Sequence, residues 1–97
     1  MRPVMHGDLT SLARHLLVLP SAARKLTCAR LITQADAADR YRKRFGRAHP
    51  HWGNGTLMAA ARQFPLPTEP PLNDPDYALC LILVLSALVD RAAFAKP

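Results

Sequence analysis

The residues of this chain with the most chemical potential lie in one stretch, Arg40-Tyr41-Arg42-Lys43-Arg44-Phe45-Gly46-Arg47-Ala48-His49-Pro50-His51-Trp52. Cations interleaved with aromatic rings can hold an anion, and the two histidines that follow raise the question of a metal. At about 100° per residue, Arg40, Lys43, Arg44 and Arg47 share one helical face, so four cations could meet one phosphate backbone or one acidic protein surface. His49, His51 and Trp52 extend that patch into the next loop. As a metal site, His-Pro-His is poor, because zinc takes at least three protein ligands and neither Cys-x-x-Cys nor His-Glu-x-x-His accompanies it. His6, His15, Cys28 and Cys80 could join only through tertiary folding. The expectation is therefore a binding surface made of Arg40, Lys43, Arg44, Arg47, His49, His51 and Trp52, with no metal and no cofactor. The competing reading is a solvated helix end whose cations offset the helix dipole, with Tyr41 and Phe45 in the core.

Catalytic chemistry has little to draw on. Outside helix caps the acids are Asp36, Asp39, Glu69 and Asp90. Asp36 and Asp39 are well explained as partners of Arg40 and Lys43 four residues on. No serine or cysteine sits in a nucleophile context and no glycine-rich phosphate loop is present, so an enzyme is not expected. Asn54-Gly55-Thr56 matches a glycosylation acceptor but reads as a turn and a cap.

The charge is unevenly placed. The chain of 97 residues carries a net +6. From Pro20 to Arg47 eight basic residues stand against two acidic ones, so the remainder sums to zero. Such asymmetry makes one cationic surface suited to nucleic acid, lipid headgroups or an acidic protein patch. The two cysteines lie in apolar helical contexts and read as small buried hydrophobes. Met1 to His6 offers no apolar leader, which points to a cytoplasmic home.

The elements that must position this surface are all helical. Asp8 is an expected N-cap for a helix over residues 9–19, with Leu9, Leu12, Leu16 and Leu19 on one stripe and Pro20 ending it. Ser21 is then expected to cap a long helix over 22–45, with Cys28, Leu31, Ala35, Ala38, Tyr41 and Phe45 on its apolar face and Leu26 and Ile32 widening it. Gly46 is the expected left-handed C-cap. Pro50 and the glycines Gly53 and Gly55 make the following segment a loop, anchored by Trp52. Thr56 caps a short helix over 57–63, and the proline-rich connector 65–73 lies extended on the surface. Asp74-Pro75-Asp76 specifies the start of a last helix over 75–94. The expected fold is a single all-α domain of four helices.

That last helix contains Tyr77 to Val89, thirteen residues with no charge. They span about 20 Å, against about 30 Å for a bilayer core, and Asp76 and Asp90 close both ends, so no membrane span is expected. A helix apolar on every side belongs in a core or between copies of a chain. Leu79, Leu83 and Ser86 face differently from Leu81, Leu85 and Leu88, and three partner helices cannot cover both directions. A homo-oligomer through this helix is therefore expected.

The block Gly46 to Ala61, Gly-Arg-Ala-His-Pro-His-Trp-Gly-Asn-Gly-Thr-Leu-Met-Ala-Ala-Ala, followed by Asp74-Pro75-Asp76-Tyr77, resembles small uncharacterised all-helical proteins of alphaproteobacteria. The resemblance implies a bacterial cytoplasmic setting and brings no activity or functional residue with it. The reading is thus a non-enzymatic binding or adaptor module that docks a protein or other anionic partner through the cationic helix end and the His-Pro-His-Trp loop. The alternative is a nucleic-acid-binding protein using the same surface.

Overall fold

The computed structural model describes residues 1–95, folded as α1 (His6–Leu17), α2 (Ser21–Phe45), α3 (Leu57–Ala61) and α4 (Pro75–Ala95). No strand occurs among the described residues, so the all-α expectation holds. Thr56 caps α3 as expected, its hydroxyl accepting from the Ala59 amide at 3.1 Å. Asp74 caps α4 by accepting from the Tyr77 amide at 3.0 Å, and Gly46 closes α2 at φ +70°, its N–H donating to the Arg42 carbonyl.

Several helix boundaries differ from expectation. α1 begins at His6, not Leu9, and ends at Leu17. Asp8 is not its N-cap; it sits one turn in and is buried. Its carboxylate accepts from the Met5 amide at 2.8 Å and from the Met58 amide at 2.9 Å. One acid thereby satisfies an orphan N–H at the start of α1 and another at the start of α3, tying the two helices together. Ser21 is the first residue of α2 and makes no capping bond; Pro20 precedes it with a fixed φ of −56°. α3 stops at Ala61, two residues short of the expected end.

The core joins Leu12 and Leu16 of α1, Cys28, Leu31, Ile32 and Ala35 of α2, Leu57, Ala60 and Ala61 of α3, and Tyr77, Cys80 and Val84 of α4. The small side chains of Ala35, Ala38, Ala60 and Ala61 are fully buried, which lets the helix backbones approach closely. Two ion pairs set the direction of α2 and α4. Arg24 bonds Asp76 at 2.7 Å, and Asp36 bonds Arg91 at 2.9 Å. Twelve residues of one helix are thus matched to fifteen of the other in the same sense, so α2 and α4 run parallel. The same Arg24 also donates to the carbonyls of Leu17, the last residue of α1, and Leu19 just after it, so α1 arrives antiparallel to them.

The connector after α3 is held rather than loosely draped. Phe64 stacks on His15 with centroids 4.4 Å apart, Arg14 donates to the Pro67 carbonyl at 2.7 Å, and the hydroxyl of buried Tyr77 donates to Glu69 at 2.6 Å.

As expected, the three partner helices leave part of α4 uncovered: Tyr77, Cys80 and Val84 face the core, and Leu79, Ile82, Leu85 and Val89 are exposed. The expected apolar face of α2 is corrected at two positions: Leu26 points to solvent, on the side of the helix away from Cys28 and Leu31, and Phe45 is 53% exposed because the helix end runs past the core it packs against. Among the described residues no helix is long and apolar enough to cross a membrane.

Candidate binding surface at the cationic end of α2

The last two turns of α2 are organised by two carboxylates. Asp36 takes Arg40 at 2.6 Å, Arg91 of α4 at 2.9 Å and the terminal ammonium of Met1. Asp39, almost wholly buried, takes Arg42 at 2.9 Å and Lys43 at 3.2 Å. The partnerships of Asp36 with Arg40 and of Asp39 with Lys43 are those expected from spacing. The partners from Met1 and Arg91 come from distant segments. The hydrogen bond from the terminal ammonium and the adjacent charge of Arg91 hold the Asp36 carboxyl down at about 2. Asp39 is lowered chiefly by its hydrogen bond from Arg42.

These pairings leave the end of α2 strongly positive. Two carboxylates face Arg40, Arg42, Lys43 and Arg91, while Arg44 and Arg47 have no carboxylate within ion-pair distance among the described residues. Arg40, Lys43, Arg44 and Arg47 all lie exposed, but only the first three share a helical face; the left-handed turn at Gly46 ends α2, so the expectation that Arg47 belongs to that face is corrected and Arg47 stands in the loop. The Arg44 guanidinium sits 5.4 Å from the centroid of the Phe45 ring. The exposure of Phe45, whose ring also meets that of Tyr41 at 4.6 Å, is the feature that spacing missed, since periodicity placed Phe45 on the core face.

The loop beyond Gly46 has a rigid internal geometry. His49 and Gly53 exchange backbone hydrogen bonds at 2.8 and 3.1 Å across a tight turn. The Nδ1 of His49 accepts from the amides of His51 and Trp52, both at 3.1 Å. Its ring stacks on Trp52 at 4.6 Å and meets the Tyr41 ring edge-on at 4.9 Å. His49 therefore serves the turn: its Nδ1 accepts two amides, its ring packs on Trp52 and Tyr41, and the side chain remains half-buried. His51 is exposed and Trp52 half-buried. No group of three His, Cys, Asp or Glu side chains placed to hold a metal occurs among the described residues.

Gly53 and Gly55 hold this loop on the helices. Both have positive φ, +85° and +94°. A Cβ at Gly55 would lie 2.7 Å from both Cα and Cβ of Asp39, and one at Gly53 would lie 2.5 Å from the Ala59 Cβ. The loop backbone thus rests directly on α2 at the residue that gathers Arg42 and Lys43. The Gly55 carbonyl also accepts from the Arg2 amide, which holds the N-terminal segment beside the same cluster.

Fold and surface together define a small all-α domain with one cationic, aromatic-bearing end. Residues 2–88 match the family described as a domain of unknown function, DUF7742, and the chain belongs to that family. No curated protein and no solved structure matches the chain.

Proposed function

We propose that this domain is a non-enzymatic binding module that docks an acidic protein surface through Arg40, Lys43, Arg44 and Arg47, with the exposed ring of Phe45 beside Arg44. The observation that supports the reading is the exposed Phe45 ring with the Arg44 guanidinium 5.4 Å from its centroid, at a helix end where Arg44 and Arg47 have no carboxylate partner among the described residues. Long-range attraction from the cations would steer an acidic partner, and burial of Phe45 under one of its apolar side chains would supply affinity. His51 and Trp52 flank this surface, and His49 holds the turn that presents them. The absence of chemistry in this proposal is supported by the thiols: Cys28 and Cys80 are buried, and burial pushes the Cys28 thiol up to about 11. The proposal includes self-association through α4 and, on the resemblance above, a bacterial cytoplasmic setting.

The test uses defined probes. A fluorescent acidic peptide carrying a leucine or tryptophan should bind at low salt, and the same peptide with that residue changed to glycine should bind several-fold more weakly. Phe45→Ala should erase the difference between the two peptides, and Arg40→Glu, Arg44→Glu and Arg47→Glu together should abolish binding of both. Failure of the apolar-bearing peptide to bind at low salt sinks the reading.

Nucleic acid is the second reading, favoured by the exposed cations Arg40, Lys43, Arg44 and Arg47 at one end of the domain. It requires duplex or single-stranded oligonucleotides to bind with a log–log salt slope of about −0.9 for each phosphate neutralised on duplex DNA. No oligonucleotide binding at low salt removes it.

A further inference from the structure

The outward face of α4 carries Leu79, Ile82, Leu85 and Val89, exposed to 61, 57, 48 and 67%. Ser86 forms the floor of a shallow groove between Ile82, Leu85, Val89 and Asp90. We infer that this face pairs antiparallel with the same face of a second copy, about a two-fold axis at the level of Val84. The inference rests on the self-association proposed above and specifies its geometry.

Three observations select a second copy in this orientation. The first is the spacing along the stripe. Leu79, Ile82, Ser86 and Val89 are separated by three, four and three residues, a pattern that reads the same from either end. An antiparallel two-fold therefore sets Leu79 against Val89 of the second copy and Ile82 against its Ser86. The branched side chain of Ile82 meets the small one that floors the groove, large against small on both sides of the axis. Leu85 lies on the opposite flank from Asp90, about 140° around the helix, and a two-fold keeps flanks together, so the two copies of Leu85 meet near the axis.

The second observation is charge. Asp90 ends the stripe and has no ion-pair partner among the described residues. It points within about 40° of the direction of Asp76, the flank that faces α2. Antiparallel pairing brings Asp90 to the level of Ala78 in the second copy. That is the amino-terminal turn of the other α4, with its positive helix end, where Arg24 and Asp76 neutralise each other and exposed Lys25 of the α2 flank remains as the cation for Asp90. The stripe is bordered by acids rather than lysines and arginines, which also disfavours an anionic lipid surface as its occupant.

The third is area. The four exposed side chains present roughly 400 Å² of apolar surface, near the largest patch typical of a monomer and about half of what a standard interface buries per partner. Exposed Pro75, Ser86, Asp90, Ala92 and Ala93 border the stripe and extend it along the helix. The expected dimer is thus a weak, reversible one.

The experiment is sedimentation equilibrium or light scattering of the full chain from about 1 to 500 µM, a range that brackets a weak interface. The mass should rise from 10.7 kDa and level at twice that value. Ile82→Asp, a change at an exposed position, should keep the wild-type helical content and melting behaviour and lower the association constant at least ten-fold; Leu79→Glu should do the same. Orientation is read by cross-linking. Leu79→Cys and Val89→Cys are made in separate chains of different size and oxidised. A disulfide joining the two variants in the mixture, with little from either alone, supports the antiparallel pair. Disulfides of each variant with itself overturn it. A mass that stays at 10.7 kDa, or climbs without levelling, also overturns the inference. The peptide-binding test is independent: Arg44→Glu with Arg47→Glu should leave the dimer intact, and Ile82→Asp should leave acidic-peptide binding per chain unchanged. Loss of one property therefore leaves the other standing.

Discussion

The guanidinium of Arg24 closes on the carboxylate of Asp76 with two bonds, 2.7 and 3.1 Å, and the same guanidinium group donates to the carbonyls of Leu17 and Leu19. One side chain of α2 therefore joins the end of α1 to the start of α4. Its hydrogen bond with Asp76 raises Arg24 and lowers Asp76, so both remain charged through the neutral range.

The two partners of that bond should not be equivalent. The Arg24 side chain is only 11% exposed and serves three acceptors, whereas Asp76 is 56% exposed and can turn to water. Arg24→Ala should cost about 2 kcal/mol, because two part-buried carbonyls and the Asp76 carboxylate lose their donor. Asp76→Asn should cost distinctly less. Urea melts of the two variants compare them directly, and equal losses would contradict the junction described here.

The glycines of the loop should rank by what their missing side chains would meet. Gly55→Ala and Gly53→Ala combine a positive φ with contacts of 2.7 and 2.5 Å, and each should destabilise by about 2–4 kcal/mol. Gly46 has an equally left-handed φ but open space around it, so Gly46→Ala should cost only about 1 kcal/mol. Thermal denaturation of the three variants gives the order.

His15 should make stability fall between pH 7 and 5. It is buried with its Nδ1 unpartnered, and burial lowers its pKa below 6.5. The unfolded chain thus takes up the proton first, so the contribution is complete above about pH 6.5 and is lost as pH falls through that range. His15→Phe keeps a ring to stack on Phe64 and should flatten the slope over this interval. An unchanged slope in urea midpoints against pH would remove His15 as its source.

Asp36 should govern a second, more acid limb. Its carboxyl sits at about 2 in the folded chain, below its value of 3.8 when free. Its contribution is present above about pH 4 and is lost as pH falls toward 2. Asp36→Asn should lower stability at pH 7 and remove that part of the acid dependence. Arg91→Ala should produce a smaller change in the same direction, since Met1 and Arg40 remain beside the carboxylate.

Much of the fold was legible locally. Thr56, Gly46 and Asp74-Pro75 marked helix ends correctly because a cap acts on amides or carbonyls within a few residues of itself. The buried face of α2 from Cys28 to Ala38 followed from its spacing, and so did the exposed cations at its end. The misplacements have one cause. Asp8 looked like the cap of the first helix because its second hydrogen-bonding partner, the Met58 amide, lies fifty residues away. Phe45 continued the apolar periodicity of α2 beyond the length of core available to cover it. The structural part His49 plays in its own turn, accepting from the amides of His51 and Trp52, is equally invisible to residue spacing.

The sequence by itself determined the four helices, the cationic end of the second and the length that keeps the last from spanning a bilayer, because periodicity, cap chemistry and local charge are properties of contiguous residues. Tertiary structure alone decided which half of α4 is covered, how Asp36 and Asp39 gather cations from Met1, α2 and α4, and how Arg24 joins three helices. Those relationships join segments up to fifty-five residues apart, and such a pairing has no energy until the core brings its members within hydrogen-bonding distance.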